Sequence, residues 1–302
     1  MLARFSTVVL LGCFLALSPR GAQSQAGGSP PPAAKRPHTL TGEFRMARLH
    51  SRFLTANPNR DIIVYLPPGY ETEKRKRYPV LYMQDGQNLF DDATSFLGEW
   101  HMDETAQALI PAKEIAPLII VGIYNAGLHR IDEYTPARDP KMRMGGQADT
   151  YGRMLVEELK PFIDRHYRTL KDASHTGLGG SSLGGLVSLY LGLKYPGTFG
   201  RLAVISPSVF WADHSIVRQV QTLPSKLPLR IWLDIGTAEA PDPDDARSVV
   251  QDARQLRDAL IARGWRLDVD LKYVEAEGAK HNEQAWAQRV PNILKFLYPY
   301  SE

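Results

Sequence analysis

Ser174-His-Thr-Gly-Leu-Gly179-Gly-Ser-Ser182-Leu-Gly-Gly185 runs directly into Leu186 to Tyr195, and the reading of this stretch decides the fold. Its first half is strand-like and its last ten residues suit a helix. Between them Gly180-Ser-Ser182-Leu-Gly184 spells Gly-x-Ser-x-Gly. A strand that turns sharply into a helix at a serine is the context of a nucleophile elbow. The turn is so tight that a side chain two residues to either side of the serine would meet neighbouring backbone, which explains the glycines. The same turn puts the hydroxyl at a helix N-terminus, where free N–H groups and the helix dipole favour developing negative charge. Ser182 is centred in the motif, with Ser181 as a neighbour able to bond locally. The plain alternative is a Gly/Ser-rich turn that only joins strand to helix; the flanking elements favour a nucleophile.

Outward from the elbow, apolar runs and helical patterns alternate. Strands are expected at 61–66, 79–83, 118–123, 202–205, 229–233 and 267–274. Helices are expected at 152–167, 247–263 and 283–298, the last kinked or started at Pro291. Apolar strands separated by helices predict an α/β fold, with a mostly parallel sheet covered on both faces. In such sheets the active residues gather on loops at the carboxyl ends of the strands.

A serine hydroxyl needs a base, and the base needs an orienting carboxylate. Behind an elbow of this kind the chain order is serine, acid, histidine. Two histidines follow Ser182. His214 comes too early; His281 lies after the last expected strand and before the last helix, where the base belongs. A solvated loop histidine is the bland alternative. Five carboxylates compete for the acid: Asp234, Glu239, Asp242, Asp244 and Asp245. Glu239 sits just past Gly236-Thr237 and is preferred. Asp234 falls within the strand, and Asp242, Asp244 and Asp245 read as a helix-capping run. Asp242 and Asp234 remain open as alternatives.

The chain has 302 residues, 43% hydrophobic and 23% charged, with a formal net charge of +3. These values suit one α/β domain and argue against disorder or a multi-span membrane protein. No Lys/Arg stripe supports nucleic-acid binding. Residues 1–26 read as a signal peptide: Arg4, then Phe5 to Leu17 as an apolar run, then small residues with cleavage after Ser24 or Ala26. An uncleaved anchor is the alternative. The apolar run is short for a bilayer span. Cys13, the one cysteine, sits in Leu10-Leu-Gly-Cys13, which loosely resembles a lipobox; the apolar run continuing to Leu17 favours plain cleavage over lipidation. Cleavage would leave no cysteine for disulfides, thiol chemistry or Cys-based zinc sites. Residues 27–37 are a Pro-rich linker, and 38–302 the catalytic domain.

Several further motifs stand in order: Val64-Tyr-Leu-Pro-Pro-Gly-Tyr70, Tyr78-Pro-Val-Leu-Tyr-Met-Gln-Asp-Gly-Gln-Asn-Leu-Phe-Asp91 and Gly98-Glu-Trp-His-Met-Asp103, then Gly122-Ile-Tyr-Asn125 with Arg130-Ile-Asp-Glu-Tyr-Thr-Pro136. Ser206-Pro-Ser-Val-Phe-Trp211 and His281-Asn-Glu-Gln-Ala-Trp286 follow the elbow. With these, Thr41 to Tyr298 resembles the putative-esterase family of α/β-hydrolases, which includes esterase D, enterochelin esterases, feruloyl esterases and mycolyltransferases. The resemblance implies the α/β-hydrolase fold and serine ester hydrolysis with no cofactor or metal. It matches Ser182 and His281 to the family's nucleophile and base. Gly236-Thr-Ala-Glu239 looks like the family's Gly-Thr-x-Asp/Glu segment, which supports Glu239. Leu183 stands where the family often has Met, a change that leaves its backbone amide in place. The implied oxyanion hole is the Leu183 amide together with that of Gln87.

Trp100 and Trp211 are candidates for lining the substrate pocket, with core packing as the alternative for both. Arg130 and Tyr134 are expected to brace the loop after Gly122. Asp103, Glu104 and Glu133 are expected on a solvated face or in structural pairs. The remaining histidines show no metal-ligand spacing. The expected activity is carboxylic-ester hydrolysis through an acyl-enzyme on small acyl or aryl esters, sugar-linked esters or siderophore lactones, in a secreted or periplasmic enzyme. Acyl transfer to an alcohol, or a non-catalytic binding protein on the same fold, are the competing readings.

Overall fold

The computed structural model describes residues 36–300, so the leader, Cys13 and most of the Pro-rich stretch lie outside the described residues. Among the described residues ten strands occur: β1 Glu43–His50, β2 Asn59–Leu66, β3 Val80–Gln84, β4 Ile119–Ile123, β5 Arg138–Asp139, β6 Met144–Gly145, β7 Thr176–Ser181, β8 Arg201–Ile205, β9 Arg230–Gly236 and β10 Leu271–Ala276. The helices are α1 Met102–Leu109, α2 Arg130–Glu133, α3 Ala148–Arg153, α4 Lys160–His166, α5 Leu183–Lys194, α6 Trp211–Gln221, α7 Pro243–Ala262, α8 Glu283–Ala287 and α9 Val290–Leu297. A π-helical stretch, Met154–Leu159, joins α3 to α4.

Eight strands form one sheet in the order β1-β2-β4-β3-β7-β8-β9-β10. β1 and β2 pair antiparallel, as do β2 and β4; every later pairing is parallel. β5 and β6 make a separate small ribbon. Side chains alternate across a strand, and the two cores follow from that. Ile62, Val64 and Leu66 of β2 face one way, with Tyr82, Leu178 and Val204, against α5, α6 and α7. Ile63 and Tyr65 face the other, with Leu81, Met83, Ile120 and Ile205, against α1 and α9. This is the mostly parallel, doubly covered sheet of the α/β-hydrolase fold.

The structure departs from the sequence expectation at several elements. The strand expected at 267–274 begins at Leu271, because 266–270 forms a turn: Asp268 has φ 59° and the Arg266 carbonyl accepts from the Val269, Asp270 and Leu271 amides. The final helix is two helices, broken at 288–289. α6 opens with a left-handed turn at Ala212, Asp213 and His214.

Candidate active site

Ser182 sits between β7 and α5 with φ 59° and ψ −124°, a sparsely populated conformation for a residue with a side chain. The surrounding structure holds it there: its amide donates to the Ile205 carbonyl at 3.0 Å, and its carbonyl accepts from the Ser208 amide at 3.1 Å. The glycines are required by close approach. A Cβ on Gly180 would lie 2.8 Å from Cβ of Gln84, and one on Gly184 would lie 3.1 Å from the same atom. The end of β3 therefore presses directly on the elbow. The Ser182 hydroxyl meets the Ser208 hydroxyl at 3.3 Å; among the described residues no hydrogen bond joins it to His281.

Gly86-Gln87-Asn88 is a single turn that follows β3. Asp85, at φ 56°, takes a bidentate ion pair from Arg130 at 2.7 and 2.8 Å and a third bond from Asn125 Nδ2 at 2.7 Å. Arg130 in turn lies over the Tyr134 ring, and the Tyr134 hydroxyl accepts from the Asp85 amide. Gln87 is tied by its side chain, which accepts from the Asn125 amide, and by its carbonyl, which accepts from Thr94. Among the described residues neither the Gln87 nor the Leu183 amide finds an acceptor. Amides in the first turn of a helix have no partner within it, so Leu183 presents a free donor beside Ser182.

The acid and base loops are stitched together. The Thr237 amide donates to the Ala276 carbonyl at 3.0 Å, Ala238 to Ala279 at 3.1 Å, and Gly278 to the Thr237 hydroxyl at 2.8 Å. His281 Nδ1 lies 2.8 Å from Glu239 Oε2. The other Glu239 oxygen accepts from the Gly236 amide at 2.7 Å and from the Ser206 hydroxyl. Burial pushes the Glu239 carboxyl up, but the bonds from His281, Ser206 and Gly236 outweigh it and leave it below the ordinary range. The ring of Trp286 stands edge-on to His281, with centroids 5.0 Å apart. Glu239 and His281 line a narrow slot together with Ser206, Ser208 and Asp252.

The competing carboxylates go elsewhere. Asp242 is the N-cap of α7, accepting from the Asp244 amide at 2.8 Å and the Asp245 amide at 3.4 Å. Asp234 is fully buried, 3.1 Å from Arg289 and 2.6 Å from Trp232 Nε1. Burial pushes its carboxyl up to about 6 in spite of Arg289. Trp100 and Trp211 are interior residues, 3% and 1% exposed. Trp100 packs on Trp286, and Trp211 donates to the Ala137 carbonyl, so the packing alternative describes where both side chains lie.

Four residues of the site's support escaped the sequence reading. Ser206 bridges Glu239 to Trp286 Nε1 and Arg289; Ser208 faces Ser182; Arg289 spans Ser206 and Asp234. Ser206, Ser208 and Trp286 lie in motifs quoted above, yet their roles need partners 26 to 83 residues distant.

Residues 55–297 match the family model described as "Putative esterase". The Bacillus subtilis (strain 168) protein YbbA is 27% identical over 246 residues, covering 80% of this chain and 93% of its own. The ferri-bacillibactin esterase BesA of the same organism is 27% identical over 205 residues, 61% of this chain and 68% of that one. Among solved structures, an IroE-like serine hydrolase from Shewanella oneidensis superimposes with a TM-score of 0.67 at 22% identity, covering 85% of this chain and 80% of that chain.

Proposed function

The chain belongs to the putative-esterase family and is a carboxylic ester hydrolase, and from that premise we propose that it works as a serine esterase through Ser182, His281 and Glu239. Ser182 Oγ attacks the ester carbonyl while His281 accepts its proton. The Leu183 and Gln87 amides hold the oxyanion that forms; one such donor typically contributes about 3–4 kcal/mol of transition-state stabilisation. His281 then returns the proton to the departing alkoxide, leaving Ser182 acylated. Water repeats the sequence with His281 as base, releasing acid and free enzyme. Glu239 keeps a proton on Nδ1, so that Nε2 is the basic atom.

The observation that carries this reading is the 2.8 Å contact of His281 Nδ1 with a buried, ionised Glu239 in the slot that Ser208 also lines, with Ser208 in contact with Ser182. A hydrogen bond from serine to histidine commonly tightens only when substrate arrives. The substrates proposed are small acyl or aryl esters, sugar-linked esters or siderophore lactones. The name of BesA, a ferri-bacillibactin esterase, favours the last. The export expected from residues 1–26 would place the enzyme where such esters are met. Among the described residues no helix is long and apolar enough to cross a membrane.

The test is turnover of p-nitrophenyl esters of increasing chain length, methyl ferulate and a catecholate siderophore lactone by wild type and Ser182→Ala. Turnover lost in the variant, with its circular dichroism unchanged, is the expected result. Equal turnover by both proteins would remove Ser182 from the mechanism.

A further inference from the structure

The Ser206 hydroxyl, just past β8, meets three groups. Trp286 Nε1 lies 3.0 Å from it and Arg289 Nη2 lies 3.1 Å from it; the third contact is Glu239 Oε1. An indole N–H and a guanidinium can only donate, and a hydroxyl has one proton and two lone pairs. Trp286 and Arg289 fill both lone pairs, so the single proton of Ser206 goes to Glu239. Its direction is fixed, where an ordinary hydroxyl rotates to suit its surroundings. The serine itself is buried and pinned. It takes φ 42°, and its amide donates to the Asp234 carbonyl at 3.0 Å and to Asp234 Oδ1 at 3.1 Å.

Arg289, between α8 and α9, is also buried, and its Nη1 lies 3.1 Å from Asp234 Oδ1. A plain anchor of the last helices to β9 would account for that ion pair. It does not account for Nη2, which meets a hydroxyl already bonded to a second carboxylate. A charged donor polarises the hydroxyl and strengthens the bond that the hydroxyl gives onward. Without Ser206, Glu239 Oε1 would keep the Gly236 amide at 2.7 Å and lose its other donor. The carboxylate would then hold its own proton more readily and would be free to turn away from His281 Nδ1. Other charged groups surround this couple: Asp234, Asp252, which lines the slot and pairs with His214 at 2.8 Å, and Glu283 near His281.

We propose that Arg289 is a positioning residue for ester cleavage, acting through the Ser206 hydroxyl to hold Glu239 ionised and turned toward His281; the proposal rests on the Ser182, His281 and Glu239 reading above. Asp234 is the counter-ion that fixes the guanidinium. Trp286 fills the second lone pair of Ser206 and stands edge-on to His281, which ties the same network to the base. When His281 takes the serine proton, two cations, His281 and Arg289, stand against two carboxylates, Glu239 and Asp234. The charges of the network then balance at the step that forms the oxyanion.

The experiment compares wild type with Ser206→Ala, Arg289→Met and Arg289→Lys. Carbon-13 NMR of the glutamate-labelled protein follows the Glu239 carboxyl, assigned by its loss in Glu239→Gln. In parallel, kcat and KM for a p-nitrophenyl ester are measured across pH. In Ser206→Ala and Arg289→Met the Glu239 carboxyl is expected to titrate at higher pH than in wild type, and the acid limb of kcat/KM to move the same way. At the plateau kcat falls roughly tenfold or more, the worth of one hydrogen bond to a charged group, while KM changes little. Arg289→Lys keeps the cation and stays closer to wild type. Ser206→Ala leaves the Arg289–Asp234 pair standing, so it reports even where Arg289→Met fails to fold. A titration and an acid limb that stay in place in folded Ser206→Ala, or in folded Arg289→Met, overturn the proposal, because a purely structural anchor would lower stability without moving either. The carboxyl titration needs no turnover, so failure of the Ser182 mechanism, seen as equal turnover by Ser182→Ala, is told apart from failure of this proposal.

Discussion

Glu239 shows how a residue's role is set by what surrounds it. Its side chain is 3% exposed, a setting that by itself favours the neutral acid, yet three donors keep it ionised. Its carboxyl is depressed below the ordinary 4.5, so the stability it contributes is fully present above that pH and is lost as pH falls through the lower folded value. Replacing it with glutamine removes both the charge and the tautomer control. Glu239→Gln is expected to lose on the order of 10^4 in kcat, as the equivalent change does in serine proteases. Its stability deficit against wild type, measured by urea unfolding, should be present at pH 7 and shrink as pH falls below the ordinary 4.5. A gap that persists at low pH would mean that the charge is not what holds the loop. Ser182 and His281 could be put forward from the sequence because a five-residue motif and chain order single them out. Glu239 was one of five carboxylates, and the contact that distinguishes it comes from a histidine 42 residues further on.

At the scale of elements, the central strands were legible because strands buried on both faces are continuous apolar runs. β1 was not: Arg45, Arg48 and His50 make it an edge strand whose polar side chains mask the pattern. The false start at 267 has the opposite cause, since Leu267-Asp-Val-Asp-Leu271 alternates as a strand does while Asp268 turns the chain. α6 was hidden by the left-handed turn at 212–214, which no periodicity announces. α7 gives a clean test of the acid assignment. Asp242 caps it through two amides, so Asp242→Ala should cost about 1 kcal/mol of stability and leave kcat unchanged. Loss of turnover in a folded Asp242→Ala protein would return Asp242 to the site.

For the molecule as a whole, a buried ion pair ties the antiparallel end of the sheet to the loops that carry the site. Arg60 is 1% exposed; it grips both Glu133 oxygens at 2.7 and 2.9 Å and donates to the Tyr124 carbonyl at 3.0 Å. Glu133 closes α2, whose first residue, Arg130, holds Asp85 beside Gln87. Breaking such a pair from one side strands a buried charge. Arg60→Met should therefore cost about 3–5 kcal/mol in chemical unfolding, and adding Glu133→Leu should recover much of it. A single variant as stable as wild type would mean that water reaches Glu133. The pair joins β2 to a residue 73 positions on, which explains why the sequence offered Glu133 only as a surface or structural carboxylate.

The central claim is that Ser182 is the nucleophile. Mass spectrometry of the protein treated with a fluorophosphonate tests it most directly, with peptide mapping of the adduct and Ser182→Ala alongside. One adduct per chain on Ser182, absent from the variant, is the predicted result. No adduct on the folded wild type, or an adduct that persists in Ser182→Ala, would contradict it.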